Sequence, residues 1–225
     1  MLVGKKSRTR CIRCGLCCRS TSPTLQLQDI HLVKNGLIPA TDLYTIRVGE
    51  LVRDPIRQEL RITDEERIKI REKMDAGGCI YYDEEAKACR IYEHRPAQCS
   101  ALACWDDSRF MAVFNRPGLT RNAAIDDPIV SGLIEKHEIR CGYRGLDEQV
   151  MRIRTEGEKA VEQIISIVGF DLHLRSFLSE KGVVDPGEMD LVFGRPLVET
   201  IAMFGLRVIK DPDGSFFLTA CRNSA

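Results

Sequence analysis

The chain has 225 residues, of which 44% are hydrophobic, and its 33 basic residues are matched by 33 acidic ones. This length suits one mid-sized domain or a domain with an appendage, and zero net charge removes any electrostatic argument for nucleic acid or an anionic membrane surface as a partner. The sequence has no run of 18 apolar residues and no apolar segment of a signal peptide, so we expect a cytoplasmic protein without a membrane span.

The first predicted elements surround a dense run of cysteines. Residues 11–18 read C-I-R-C-G-L-C-C, and this segment is too short, and too easily broken at Gly15, to be the core of a regular helix. A short helix is predicted over residues 25–33, ended by an Asn-Gly pair. Residues 63–74 open with a T-x-x-E capping box, which predicts a helix, but their I-K-I alternation equally predicts a strand.

A hairpin and a helix are predicted around the next cysteines. C-I-Y-Y at 79–82 and C-R-I-Y at 89–92 flank a polar stretch, which indicates two short antiparallel strands. Pro96 predicts the start of a helix, because proline is favoured at the first helical position. That helix would carry Cys99 and lead to Cys104.

The remaining elements are mainly helical. Apolar spacing predicts three helices and a joint between the first two, over 128–140, 146–168 and 170–181, with the joint at Gly142 and Gly145. Two apolar runs, 206–209 and 216–219, flank D-P-D-G and predict a β-hairpin. No internal repeat and no low-complexity segment is found.

These elements predict an α+β fold with two regions. Residues 1–145 would form an irregular, metal-organised, cysteine-rich core with short hairpins and helices. Residues 146–225 would form a mainly helical C-terminal appendage that ends in a β-hairpin. We expect a protein partner to bind through this C-terminal region.

Eight of the ten cysteines form two groups of four, of which the first lies at residues 11–18 and the second at residues 79–104. Without an export signal such clusters indicate metal or redox chemistry rather than disulfides, and four cysteines in eight residues are not explained as buried apolar side chains. The predicted metal ligands are Cys11, Cys14, Cys17, Cys18, Cys79, Cys89, Cys99 and Cys104.

The spacing of the cysteines does not decide which metal they bind. A CxxC turn suits tetrahedral zinc, whereas CxxCxxC suits three corners of a 4Fe–4S cluster with a remote fourth ligand. Adjacent side chains of an extended chain point apart, so Cys17 and Cys18 need not serve the same metal. Two nearby centres, or one larger cluster with a spare thiol, would fit that arrangement.

Several residues near the cysteines are further candidates. Arg95 is predicted to bind the cofactor, by donating hydrogen bonds to sulfide or thiolate, although it also reads as an ordinary surface arginine. The nearby tyrosines would shield the centre from water or simply belong to the core, and they are Tyr81, Tyr82 and Tyr92.

Two histidines are alternative metal ligands. His137 and Cys141 would share one face of a helix, but a histidine in a last turn also complements the helix dipole. His94 adjoins the second cysteine group. His31 and His173 have no predicted partners, so we interpret them as structural or exposed.

The motif set resembles the CxxCxxCC family, whose members are described as zinc- or iron-chelating proteins. C-x-x-C-G-x-C-C is followed by C-I-Y-Y-D, by C-R-I-Y-E-H-R-P-A-Q-C and by A-C-W-D. The resemblance covers the eight cysteines and the Arg95-Pro96 step, over about residues 11–107, and not residues 146–225. A flagellin lysine methylase carries a related cysteine-rich element, so the resemblance allows a methyl-transfer context.

Three functions follow as hypotheses. The first is a protein that carries an iron–sulfur cluster, expected to be 4Fe–4S, for electron transfer or as an accessory to an enzyme or assembly pathway. The second is a zinc-stabilised interaction module without a redox role. The third is a component of a methyl-transfer enzyme, although no nucleophile elbow, phosphate-binding loop or dinucleotide fingerprint is present.

Overall fold

The computed structural model describes residues 11, 13–54, 59–74, 77–211 and 216–221. It confirms the predicted α+β class. The α-helices are α1 Leu16–Ser20, α2 Ile30–Lys34, α3 Ala97–Ala101, α4 Ser108–Phe114, α5 Arg121–Ala124, α6 Pro128–Cys141, α7 Tyr143–Glu156, α8 Glu158–Glu180, α9 Met189–Phe193 and α10 Leu197–Thr200. The strands are β1 Leu43–Ile46, β2 Leu51–Arg53, β3 Leu60–Ile62, β4 Arg67–Ile70, β5 Tyr82–Asp83, β6 Ala88–Cys89, β7 Leu206–Lys210 and β8 Phe216–Ala220.

The chain forms two compact units, and each is built from two stretches of sequence. Unit 1 comprises Met1–Leu43 and Arg67–Ala124, and unit 2 comprises Tyr44–Glu66 and Ile125–Ala225. Unit 1 contains 17 basic and 10 acidic residues, an excess of seven positive charges, and unit 2 has the opposite excess, with 16 basic and 23 acidic residues. The neutral total therefore conceals a strong division of charge along the chain.

Unit 1 is held by backbone hydrogen bonds between short extended segments. Leu25 N donates to Ile68 O at 2.8 Å, Ile68 N to Leu119 O at 3.1 Å, and Leu119 N to Leu25 O at 2.9 Å. All three side chains are fully buried, so segments distant in sequence share one apolar centre. Residues 67–70 take the strand alternative because Ile68 and Ile70 both point into this core.

Unit 2 is a helical assembly with a β-hairpin against it. Residues from α6, α7, α8 and α10 share one core, which includes Leu146, Ile164 and Leu197, each fully buried. The hairpin β7–β8 adds Val208 and Leu218 to that core. Its register pairs Val208 with Leu218, which confirms the predicted hairpin, while most of the D-P-D-G turn lies outside the described residues.

The helix boundaries differ from the prediction at two glycines. The long helices separate at Gly157, which has φ of 56°, and not at Gly169, which lies inside α8. Gly142 does separate α6 from α7, but Gly145 lies within α7. Among the described residues, no helix is both long and apolar enough to span a bilayer.

Candidate metal centre

The first cysteine motif ends in a short helix. Gly15 has φ of 75°, in the left-handed region, and immediately precedes α1, in which Cys17 and Cys18 are neighbours. Their sulfur atoms lie 4.0 Å apart. Two ligands of tetrahedral zinc with Zn–S bonds of about 2.3 Å lie about 3.8 Å apart. The expectation of an extended chain with diverging thiols is therefore wrong, and the helical turn brings both sulfurs within reach of one ion.

Glycines allow α1 to lie directly on the second cysteine group. Cys79 N donates to Cys18 O at 2.7 Å. A Cβ on Gly78, which has φ of 77°, would lie 2.7 Å from backbone atoms of α1, so any side chain there would push the two segments apart. Gly15 is similarly restricted, because a Cβ there would overlap the hydroxyl end of Tyr82.

The hairpin and α3 bring two further thiols to this region. Cys89 pairs with Tyr82 across β5 and β6, which confirms the predicted hairpin in a form only two residues long on each side. Cys99 lies in α3, as predicted. The start of α3 is fixed because the buried carboxylate of Asp29 accepts a hydrogen bond from Ala97 N at 3.0 Å.

Mutual effects on thiol pKa values identify the cysteines that lie together. Hydrogen bonding between the sulfurs of Cys17 and Cys18 lowers the pKa of Cys17 to about 6 and raises the pKa of Cys18. Burial, followed by the negative potential of Cys79, Cys89 and Cys17, raises the pKa of Cys99. Five of the eight predicted ligands therefore lie close enough together to affect one another's protonation, and they are Cys17, Cys18, Cys79, Cys89 and Cys99.

The other three predicted ligands are more open to solvent. Cys11, Cys14 and Cys104 are exposed, and Cys11 accepts a hydrogen bond from Arg13 N at 3.4 Å. Within the described ranges, no group of three or more Cys, His, Asp or Glu side chains has a ready-made metal-binding arrangement. The donor chemistry fits a thiophilic metal, but a complete ligand set requires local adjustment of the thiols.

Arg95 packs against Tyr92, and its role toward a cofactor stays a prediction. Its Nε donates to Tyr92 O at 2.8 Å, and its guanidinium carbon lies 3.7 Å from the centre of the Tyr92 ring. The Arg13 guanidinium lies 4.2 Å from the centre of the same ring. Arg95 reaches the thiols through its charge, which acts to lower the pKa of Cys99 against the larger effect of burial.

The tyrosines of the second group belong largely to the core. Tyr81 and Tyr82 are each 6% exposed, and the Tyr81 hydroxyl donates to Asp42 Oδ2 at 2.5 Å. This hydrogen bond ties the hairpin to the segment before β1. The interpretation as core side chains accounts for this burial and for the contact with Asp42.

The His137 and Cys141 pair has partners inside the protein. Both side chains are fully buried on α6. His137 Nε2 lies 2.7 Å from Asp171 Oδ1, and the Cys141 thiol lies 3.8 Å from Ile167 O. These contacts support the structural alternative for the pair. His94 is exposed, and its role as a ligand stays a prediction.

Sequence reasoning missed the residues that dock the two cysteine groups. Gly78 is the second glycine of a G-G-C step, and that step was the available signal, since a glycine beside a cluster indicates close backbone approach. Asp29 offered a weaker signal, as an acidic residue inside an apolar run. Neither residue carries the chemistry, but both determine where Cys79 and Cys99 lie.

Comparison with known proteins finds a match for the part of the chain that contains both cysteine groups. Residues 10–116 match the model of the CxxCxxCC family, described as a "Putative zinc- or iron-chelating domain". No curated protein and no solved structure matches the chain. The matched segment contains all eight clustered cysteines and the docking glycines. Residues 10–116, slightly less than half of the chain, are therefore similar to the CxxCxxCC family, whose domain is described as zinc- or iron-chelating.

Proposed function

We propose that the two cysteine groups bind one metal assembly, with an iron–sulfur cluster of the 4Fe–4S type as the first candidate. The proposed ligands are Cys11, Cys14, Cys17, Cys18, Cys79, Cys89, Cys99 and Cys104. The observation that carries the proposal is the docking of α1 on Gly78 and Cys79, which brings thiols from both groups into one region. Thiols at such close quarters repel one another once ionised, and a bound cation relieves that repulsion.

The charge of unit 1 supports an anionic centre. Four thiolate charges exceed the net positive charge of a zinc ion, or of a 4Fe–4S core with its sulfides included, so an assembly of this kind carries net negative charge. Unit 1 has an excess of seven positive charges, and Arg95 and Arg13 stack on Tyr92 close to the thiols. We propose that Arg95 stabilises the ligand charge at Cys99 through its own charge.

The role proposed for the centre is electron transfer, or assistance to an enzyme or assembly pathway, in the cytoplasm. An iron–sulfur cluster would supply one-electron redox chemistry. The chain itself supplies the thiol ligands and the cationic surroundings that tune the potential. A protein partner bound through residues 146–225 completes the proposal.

The zinc-stabilised module is a second candidate, and a separate observation supports it. The 4.0 Å separation of the Cys17 and Cys18 sulfurs is close to the spacing of two ligands on one zinc ion, about 3.8 Å. In that case the metal holds unit 1 together without a redox role. The methyl-transfer alternative rests on the family resemblance alone.

Anaerobic purification followed by metal and sulfide analysis tests the proposal. We expect brown protein with iron and acid-labile sulfide in similar amounts, and a paramagnetic signal after one-electron reduction. Colourless protein with stoichiometric zinc and no sulfide would replace the first candidate by the second, because zinc is d¹⁰ and absorbs no visible light. Folded protein that binds neither metal would end both.

A further inference from the structure

Glu72 contacts the chain next to both cysteine groups. Its backbone forms an isolated antiparallel bridge with Cys79, and the next residue, Lys73, donates its backbone N–H to Gly78 O at 3.0 Å. Glu72 therefore lies opposite a proposed ligand of the second group. A carboxylate at this place would either bind the metal or hold neighbouring residues, and its contacts distinguish the two roles.

The side chain of Glu72 contacts the residues that follow α1. Its Oε1 accepts a hydrogen bond from Thr21 Oγ1 at 2.8 Å and another from Ser22 N at 3.1 Å. Thr21 N in turn donates to Cys17 O at 3.4 Å, at the end of α1. Glu72 is thus joined to Cys79 through the backbone and to Cys17 through Thr21, so it connects one proposed ligand of each group.

A side chain is needed here because the backbone pairing between these segments is interrupted at a proline. Ile70 N donates to Pro23 O at 3.1 Å, but Pro23 has no N–H to donate in return. The Ser22 hydroxyl donates to Ile70 O at 2.5 Å. The side chains of Ser22 and Glu72 therefore continue the pairing from Pro23 towards α1.

The donors around Glu72 favour the holding role over metal binding. Lys69 Nζ donates to Glu72 Oε1 at 2.9 Å and to Thr21 Oγ1 at 3.1 Å, so three donors share one carboxylate oxygen. Hydrogen bonds to an ionised acceptor are the strong ones in proteins. Metals that select thiolate ligands also have little preference for carboxylate oxygen.

We propose that Glu72 is a positioning residue of the metal centre. It holds the end of α1 beside Cys79, so that thiols of both groups reach the same metal. This inference rests on the proposed function, because it requires that the clustered cysteines bind metal. Gly78 only permits the close approach of the two segments, whereas Glu72 supplies hydrogen bonds that maintain it.

Anaerobic titration of the full-length, metal-free protein with Co²⁺ tests this role. Charge transfer from thiolate to cobalt gives an absorption band that reports both the affinity and the ligands. Glu72→Ala should raise the dissociation constant about 10–100-fold, the usual effect of losing a group that orients metal ligands. Its band at saturation should equal that of the native protein, because the same thiolates bind.

Two further variants show whether the carboxylate oxygen is the group that matters. Glu72→Gln keeps an oxygen acceptor for Thr21 and Ser22, so it should recover most of the affinity lost in Glu72→Ala. Gln28→Ala is the control, since it removes an exposed hydrogen bond from Arg116 in unit 1, at 2.7 Å. This control should bind cobalt like the native protein.

Thr21→Val shows whether Glu72 acts through the residues that follow α1. It should also raise the dissociation constant. The double variant with Glu72→Ala should bind within about twofold of Glu72→Ala alone, because both changes break the same hydrogen bond. Losses that multiply in the double variant would overturn the proposed connection through Thr21.

Other results would overturn the positioning role or the function beneath it. Native affinity in Glu72→Ala, or equal losses in Glu72→Ala and Glu72→Gln, would remove the role and leave thiolate ligation standing. An equal loss in Gln28→Ala would reduce the role to general stability of unit 1. A changed band at saturation in Glu72→Ala would make Glu72 a ligand. Native protein without a thiolate-to-cobalt band would remove the proposed function, and this inference with it.

Discussion

Replacement of Gly78 by alanine tests the contact on which the metal centre depends. Gly78 has φ of 77°, a conformation that costs a residue with a Cβ about 1–2 kcal/mol. The new Cβ would also lie 2.7 Å from backbone atoms of Cys18 and Arg19, and such overpacking costs about 1–3 kcal/mol. We therefore expect Gly78→Ala to lower the free energy of unfolding by about 2–5 kcal/mol.

Gly77→Ala is the matched control for this change. Gly77 has φ of 62°, and a Cβ there would meet no described atom within 4 Å. The control should therefore show only the conformational cost, about 1–2 kcal/mol. Urea unfolding measures both free energies, and metal analysis measures the consequence at the centre. Equal unfolding free energies and equal metal contents for the two variants would refute the claim that close approach at Gly78 assembles the site.

Three further predictions concern the cysteines, the metal and the interior of unit 2. Cys14→Ser should abolish metal loading while Cys221→Ser changes nothing, as measured by metal content, and full loading of Cys14→Ser would remove the first group as a ligand set. Chelation should loosen residues 1–107 far more than residues 146–225 in hydrogen exchange, because structural thiolate sites contribute on the order of 10 kcal/mol of apparent binding energy; uniform protection would contradict this. Burial lowers the pKa of His137, so the folded state resists protonation and loses stability as pH falls below about 6.5. Below that pH, His137→Asn should flatten the pH dependence of urea unfolding by up to about 1.4 kcal/mol per pH unit, and an unchanged slope would exclude His137 as the titrating group.

The elements with strong local signals were predictable from the sequence. Cys79 and Cys89 flank a polar stretch between apolar runs, and the hairpin follows from that pattern. The C-terminal hairpin and the helix that carries His137 were predicted for the same kind of reason. In each case residues close together in the chain determine the type of element, and contacts with distant residues affect only where it begins and ends.

Other features depend on contacts that the sequence does not display. Residues 63–74 satisfied both a helix and a strand pattern, and the buried positions of Ile68 and Ile70 decided for the strand. The conformation at Cys17 and Cys18 could not be read from their spacing, because Gly15 begins a helical turn whose place is fixed by packing against Tyr82. The contact between His137 and Asp171 in unit 2 joins residues 34 positions apart in the chain and left no motif.

The assignment of functions to the two predicted regions stays a prediction. We propose metal binding for residues 1–145 and partner binding for residues 146–225. The compact units have different bounds, since Tyr44–Glu66 joins Ile125–Ala225 in unit 2. Binding experiments that separate the two functions therefore need point variants in the full chain, and not truncation at residue 145.

X-ray absorption at the iron and zinc edges, on anaerobically purified protein, tests the central claim most directly. The proposal that the clustered cysteines are the ligands predicts a first shell of sulfur only around the bound metal. For an iron–sulfur cluster it also predicts a shell of neighbouring iron, and for zinc it predicts sulfur at about 2.3 Å. A first shell made mainly of oxygen or nitrogen would show that the cysteines are not the ligands and would contradict the account.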